Sequence, residues 1–390
     1  MKRYFPIFTL LIVISFTFGA LSGCAPMTSE TVVEPTASFV ETAQPVVEPT
    51  GQPVQENLPI IDAFGRTINL VNPQRIVIAG KATPLLVNTF YAFKETLTKV
   101  VGIEVRSQSN KAFITMIDPD ASNKTTLEKD AGPEQIAPLK PDVVVMKSYM
   151  QEKLGNPLEE IAIPVVYLDL ETPEQFYRDL ETIGAVLGNP QRAAEVTEFY
   201  QIRALNVEAR TSGLSDEEKP RTLMLQYSES GGEVAFEVPS ADYLQTVLVE
   251  MAGGNAVWKG DVESGGWNVV NLEQIAAWNP EIIYIVDYDG KAPEIVQNLR
   301  ADTQWQSLPA IQTGMVFAFP NDFLSWDQPD TRWILGLEWL AKITQPQLFL
   351  DLDLNQEVVD FYSTLYNLPV ETIETEVLPL LEGYIFSITD

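Results

Sequence analysis

The chain has 390 residues, 25 Lys and Arg against 54 Asp and Glu, no histidine and one cysteine, giving a formal net charge of −29. So acidic a chain disfavours nucleic acid and anionic lipid surfaces as partners. The missing imidazole removes the usual ligands of bare Zn²⁺ or Mn²⁺ together with the Ser-His-Asp, Cys-His and HExxH arrangements of common hydrolases; no metal site, cofactor or enzymatic activity is expected, a carboxylate-only catalytic site being the one enzymatic alternative left open.

Lys2 and Arg3 precede an uncharged run over residues 4–20, followed by Leu21-Ser22-Gly23-Cys24. A basic start and an apolar run shorter than the about 20 residues of a membrane span predict an export signal over residues 1–24. Leu-Ser-Gly-Cys resembles the lipobox of bacterial lipoproteins, which implies lipidation at Cys24 and attachment to a membrane on the extracytoplasmic side. Cys24 is the only cysteine, so no disulfide forms within the chain. Residues 25–59 carry prolines at 26, 35, 45, 49, 53 and 59 and no apolar periodicity, the composition of a disordered tether.

The folded part opens with a hairpin pattern over 60–70 that turns at Phe64-Gly65, then a buried strand over 75–79 and a helix over 84–94. Further apolar strands at 99–103, 142–146 and 164–168 alternate with helical stretches, which predicts a parallel sheet in an N-terminal lobe spanning 60–171. Thr172 and Gln175 form a capping-box pattern for a helix over 173–187. Asn189 and Pro190 then start a long helix over 190–210, with Ala193, Val196, Tyr200, Ala204 and Val207 on one apolar stripe. The helical connection over 172–212 leads into a C-terminal lobe, 213–390, with strands at 221–227, 281–286 and 314–319 and closing helices at 335–343 and 357–365.

The two halves share a phrase. Glu134-Gln135-Ile136-Ala137, three residues, then Pro141-Asp142-Val143-Val144-Val145 returns as Glu273-Gln274-Ile275-Ala276, three residues, then Pro280-Glu281-Ile282-Ile283-Tyr284. Each copy reads as a short helix running into a buried strand, and the midpoint between them falls in the long helix. The fold class expected is α/β: two αβ lobes with mainly parallel sheets joined by one long interlobe helix. In such sheets ligands gather beyond the carboxyl ends of the strands. Those ends carry Lys81, Arg106 with Lys111 in the loop beyond it, and Arg332 in SWDQPDTRW, which suit an anionic ligand. Arg332 equally suits the start of the closing helix, paired with Asp327 or Asp330. Tyr149, Tyr227, Trp267 and Trp326 offer aromatic walls for a sizeable organic complex or, alternatively, fill the lobe cores.

The order of DAFGRTINLVNPQRIV, PEQIAPLKPDVVV, the interlobe helix, VLVEMAGGNAVW, NLEQIAAWNPEIIYI and GLEWLAKITQPQLF resembles the class III substrate-binding proteins of bacterial ABC importers over most of residues 60–365. The resemblance implies a monomeric receptor that binds a small molecule between its lobes and delivers it to a permease and its ATPase. An iron(III) complex of siderophore type is the expected ligand, with cobalamin, haem, molybdate or tungstate as alternatives; for haem, Tyr149 or Tyr227 is a candidate axial ligand. It also implies that Glu134 and Glu273 dock onto permease arginines. A rival reading of another class is an anchored surface protein that binds a partner protein or a glycan. Because one helix joins the lobes, closure on ligand should be small.

Overall fold

The structure, a computed structural model, describes residues 59–108, 110–230 and 233–384. The signal segment, Cys24 and the tether up to residue 58 lie outside the described residues. Strands β1 (Ile60–Ile61) and β2 (Thr67–Ile68) form the expected hairpin, with Gly65 at φ +72° in its turn. Asp62, almost fully buried, receives the amides of Phe64 and Arg66 and pairs with the Arg66 guanidinium at 2.7 Å, so the turn satisfies its own charge.

The first sheet contains β3 (Ile76–Ile78), β4 (Val100–Glu104), β5 (Thr125–Leu127), β6 (Val143–Lys147) and β7 (Val165–Leu168) in the order β5-β4-β3-β6-β7, all parallel. Every residue of β3, β6 and β7 is buried, as expected for strands covered by helices on both faces. The second sheet contains β8 (Arg221–Ser230), β9 (Glu233–Pro239), β10 (Asn255–Ala256), β11 (Trp267–Val270), β12 (Ile282–Val286) and β13 (Val316–Ala318). Its order is β11-β9-β8-β12-β13, with β10 paired to the start of β8. Here β8, β12 and β13 are parallel, whereas β9 returns antiparallel to β8 and β11 antiparallel to β9. The fold class is therefore the α/β arrangement with mainly parallel sheets.

Asn189 caps the helix Pro190–Thr211 by accepting the Arg192 amide at 3.0 Å, and all five residues of the apolar stripe are buried. On the stripe, the Tyr200 hydroxyl donates to the Thr331 carbonyl at 2.5 Å, and its ring packs on Phe176 and Trp333. The helix Pro173–Leu187 starts at Thr172, whose side chain accepts the Gln175 amide, and stops at Gly188, which takes φ +75°. The closing helices are Trp333–Thr344 and Leu354–Tyr366.

The segment between β13 and the helix Trp333–Thr344 crosses to the first sheet's helices. Asn88 donates to Asp330 at 2.8 Å, Asn110 donates to the Phe323 carbonyl at 3.3 Å, and Phe113 stacks on Phe323 with ring centres 5.0 Å apart. The two sheets are thus braced at a second place besides the interlobe helix.

Candidate functional site

Because β3, β4, β6 and β7 are parallel, their carboxyl ends share one edge. Gly80 follows β3 at φ +96°, where an added Cβ would meet Met150 Cγ at 3.1 Å, so this bend favours glycine. The bend aims the Gly80 amide at Glu104 Oε2, 2.6 Å away. Glu104 is fully buried, also accepts the Asp130 amide at 2.8 Å, and pairs with Arg106 at 2.5 Å. Arg106 donates to the Gly80 carbonyl as well, so its charge is already engaged by the protein. Lys81 is exposed, and among the described residues its ammonium has no ion-pair partner. Lys111 is exposed on the first turn of the helix Lys111–Ile117, which Asn110 caps through the Phe113 amide.

At the end of β6, Lys147 is a fully buried ammonium held by the Asp169 carbonyl and by Glu171 Oε1 at 2.6 Å. Asp169 in turn receives the Ser148 hydroxyl and pairs with Arg178 at 2.7 Å. Tyr149 stands on this charged floor with its ring 56% exposed. Partial desolvation, then the nearby Glu171 carboxylate, push its hydroxyl up to about 12. Tyr243, which precedes the helix Leu244–Met251 of the second sheet, feels burial and the same Glu171, and acts on Tyr149. Tyr149 and Tyr243 thus both lie within electrostatic range of Glu171.

In the second sheet β12 ends opposite Gln226, but β8 runs on to Ser230, so the β8–β9 hairpin projects past the sheet and carries Tyr227 against Phe236 with ring centres 5.9 Å apart. Trp267, half-buried, meets Tyr288 edge-on at 6.5 Å. The Tyr288 hydroxyl donates to the fully buried Asp327, which also receives Gln245 at 3.0 Å and Ser325 at 2.5 Å. A cavity of about 420 Å³ opens at these strand ends, lined by Gln226, Tyr227, Ser228, Asp287, Tyr288, Asp289 and Lys291. A larger cavity, about 620 Å³ and lined by Tyr91, Arg192 and Tyr366 among others, lies at the far end of the helix Thr83–Tyr91, away from the strand ends.

Two of the residues expected at the ligand face are elsewhere. Trp326 is fully buried, its indole N–H donating to Asp322 at 3.1 Å. Arg332 is also fully buried; it pairs with Asp322 at 2.7 Å and Asp330 at 2.9 Å and lies over the Phe113 ring at 4.6 Å. Its charge braces the lobes and presents no surface to a ligand. Of the two carboxylates considered for it, Asp330 is the partner, while Asp327 serves Tyr288.

Sequence reading passes over Tyr243, Glu171, Tyr288 and Lys291. Asp287-Tyr288 marks a strand end in the sequence, but nothing local says that the ring would meet Trp267. Tyr243 sits where a turn after Pro239 enters an apolar helix, a boundary signal that says nothing of the opposite lobe.

Glu134 is exposed on the first turn of the helix Pro133–Ile136 and Glu273 on that of the helix Leu272–Trp278, and neither has an ion-pair partner among the described residues. Each helix follows a strand, β5 or β11, whose carboxyl end points to the ligand edge, so both glutamates sit at that edge. Among the described residues no cluster of three His, Cys, Asp or Glu is placed to hold a metal ion, and no helix is long and apolar enough to cross a membrane.

The family described as periplasmic binding protein matches residues 97–323. The molybdate-binding protein MolA of Haemophilus influenzae is 27% identical over 254 residues, covering 60% of this chain and 69% of that protein. Its structure with molybdate superposes with a TM-score of 0.66 at 22% identity, covering 80% of this chain and 98% of that one. A periplasmic solute binding protein of Veillonella parvula gives 0.67 at 23%, covering 84% and 98%, and the TroA-like FepB of the same organism gives 0.64 at 23%, covering 78% and 95%. With two αβ lobes and this match over more than half its length, the chain belongs to the periplasmic binding protein family, the solute-binding receptors of ABC importers, and is not an enzyme.

Proposed function

We propose that this receptor is anchored through a lipid on Cys24, reaches from the membrane on the 25–59 tether, and captures an iron(III) complex of siderophore type between its lobes. The observation that carries the ligand choice is the character of the facing strand ends. They present Tyr149, Tyr243, Tyr288, Tyr227 and Trp267, while Arg106 and Lys147 are already engaged by carboxylates. A bare oxyanion would meet Glu171 and Asp289 as readily as Lys81, whereas a chelate with an organic shell uses the aromatic walls. In this reading Lys81, Arg106, Tyr149, Tyr227 and Trp267 line the site.

Titration of tryptophan fluorescence with a ferric siderophore complex, cobalamin, haem and molybdate tests the choice. Micromolar or tighter quenching by the ferric complex alone is the expected result. Quenching by molybdate and not by the ferric complex overturns it. The molybdate reading has its own support in the name of the 27% identical relative.

Glu134 and Glu273, one exposed carboxylate per lobe at the ligand edge, are the proposed contacts to the permease, whose partner groups would be arginines. The double variant Glu134→Lys, Glu273→Lys should keep ligand affinity and melting temperature while abolishing ligand-stimulated ATPase activity of the reconstituted importer. Normal stimulation would end the docking role, and lost ligand binding would move these residues into the site.

A further inference from the structure

We infer that the cavity at the ends of β8 and β12 is the second lobe's half of the ligand site, with Lys291 reading an anionic, oxygen-rich arm of the ligand. This rests on the proposed ferric-chelate reading and names the charge of the chelate.

The loop that makes the cavity is fixed by its own carboxylate. Asp287, 6% exposed, accepts the amides of Asp289 at 3.0 Å and Lys291 at 2.6 Å, and Gly290 takes φ +79° between them. Those two amides answer the Asp287 charge, and among the described residues the Lys291 ammonium forms no ion pair. Asp289 is exposed at the rim. Deeper in, Gln226 Oε1 is a buried acceptor with no donor among the described residues, and the Ser228 hydroxyl is likewise uncommitted. A cavity of about 420 Å³ that offers an ammonium, a hydroxyl and an unmet carbonyl beside the Tyr227 and Tyr288 rings matches a chelate arm carrying a negative oxygen and an N–H or O–H. Lys81 is the corresponding free ammonium on the first lobe, so a ligand held between them has a positive group on either side.

The test titrates the full-length protein and its Lys291→Gln and Lys291→Arg variants with a strongly anionic tris-catecholate ferric complex and an uncharged tris-hydroxamate ferric complex. Lys291→Gln should weaken the anionic complex by about tenfold or more, the scale of one charge-assisted hydrogen bond, and leave the uncharged complex within about twofold. Lys291→Arg should retain most of the affinity, and all three proteins should melt together. Equal losses for both complexes, or no loss for the anionic one, overturns the assignment. If the parent protein binds neither ferric complex, the ferric reading fails. The subsite is then decided with molybdate: weakening by Lys291→Gln supports it, and unchanged binding rejects it.

Discussion

The two copies of the repeated phrase are alike where their strands begin and different where they end. In the first, the Arg75 amide donates to Asp142 at 2.9 Å and its guanidinium to the carbonyls of Leu139 and Lys140; in the second, the Arg221 amide donates to Glu281 at 2.9 Å and its guanidinium to the Asn279 carbonyl. Lys140 and Asn279 hold the same place and share a left-handed backbone, with φ of +47° and +51°. At the other end β6 runs into buried Lys147 and exposed Tyr149, whereas β12 runs into the Asp287 loop. Beside the leading strand, the first lobe places parallel β4, and the second divides that position between β10 and the β8–β9 hairpin. The shared base makes the same turn twice, and in the proposed site the unlike ends would give a ligand two chemically different walls.

The strongest break in the comparison is the segment after β13, which has no counterpart after β7. Replacing Arg332 with Met leaves Asp322 and Asp330 buried without their cation. It should therefore destabilise the protein by about 3–5 kcal/mol in chemical denaturation. A loss below about 1 kcal/mol would show that the brace is not held by charge.

Further along the same addition, Glu338 is buried on the helix Trp333–Thr344 with Arg203 Nε 3.9 Å away, and that arginine is shared with Glu357 at 3.0 Å and Asp360 at 3.7 Å. Burial, then the Glu357 charge, raise the Glu338 carboxyl from its ordinary 4.5 to about 8. Between those values the folded chain keeps a proton that the unfolded chain releases, so stability from this group falls as pH rises through that window. Glu338→Gln should flatten the slope and leave the variant more stable than the parent above about pH 8, with urea midpoints as the measurement. Parallel pH profiles for the two proteins would remove Glu338 as the cause.

What the sequence makes legible follows the same division. The helix Pro173–Leu187 and the buried strands β3, β6, β7 and β12 announce themselves because caps and apolar runs are local signals. The interlobe helix is legible to within one residue for the same reason. Strands β9 and β11 escape because Glu233–Pro239 is interrupted by glutamate and Trp267–Val270 by Asn268, so neither is a continuous apolar run, and the meaning of β9 depends on pairing with β8. Arg332 and Trp326 mislead because both meet Asp322, a contact set by how the whole segment folds back; an arginine beside Pro and Asp otherwise reads as solvated. The edge at the strand ends is legible as a place, from the parallel strands, and illegible in detail, because contacts such as Trp267 on Tyr288 form only once the sheet is folded.

The shared base can be tested one lobe at a time. Arg75→Ala removes donation to two carbonyls and Arg221→Ala donation to one together with an exposed ion pair to Glu281 at 3.5 Å, which is worth little, so each should cost about 0.5–1.5 kcal/mol, with the first-lobe variant at the upper end. The sites share no partner, so the double variant should show the sum within about 0.5 kcal/mol in urea unfolding. A larger first-lobe loss sharpens the comparison, and a clearly non-additive pair would mean that the two turns are not independent copies.

The smallest effect discriminates most finely, because it compares two residue types at one backbone position. A left-handed conformation crowds the Cβ of any L-residue against its own carbonyl, and asparagine tolerates it better than lysine does. Lys140 and Asn279 both end a helix in that conformation, both are exposed, and each offers only its carbonyl to the neighbouring arginine. Glycine relieves the crowding and keeps the carbonyl, at the cost of a freer unfolded chain that loses more entropy on folding. Lys140→Gly should therefore stabilise by about 0.5–1 kcal/mol and Asn279→Gly by only a few tenths. Differential calorimetry on the two variants reads the difference as a shift of melting temperature. Equal shifts would mean that the Lys140 side chain carries no more strain than Asn279, and a destabilised Lys140→Gly would mean that the lysine stem contributes packing that the turn requires.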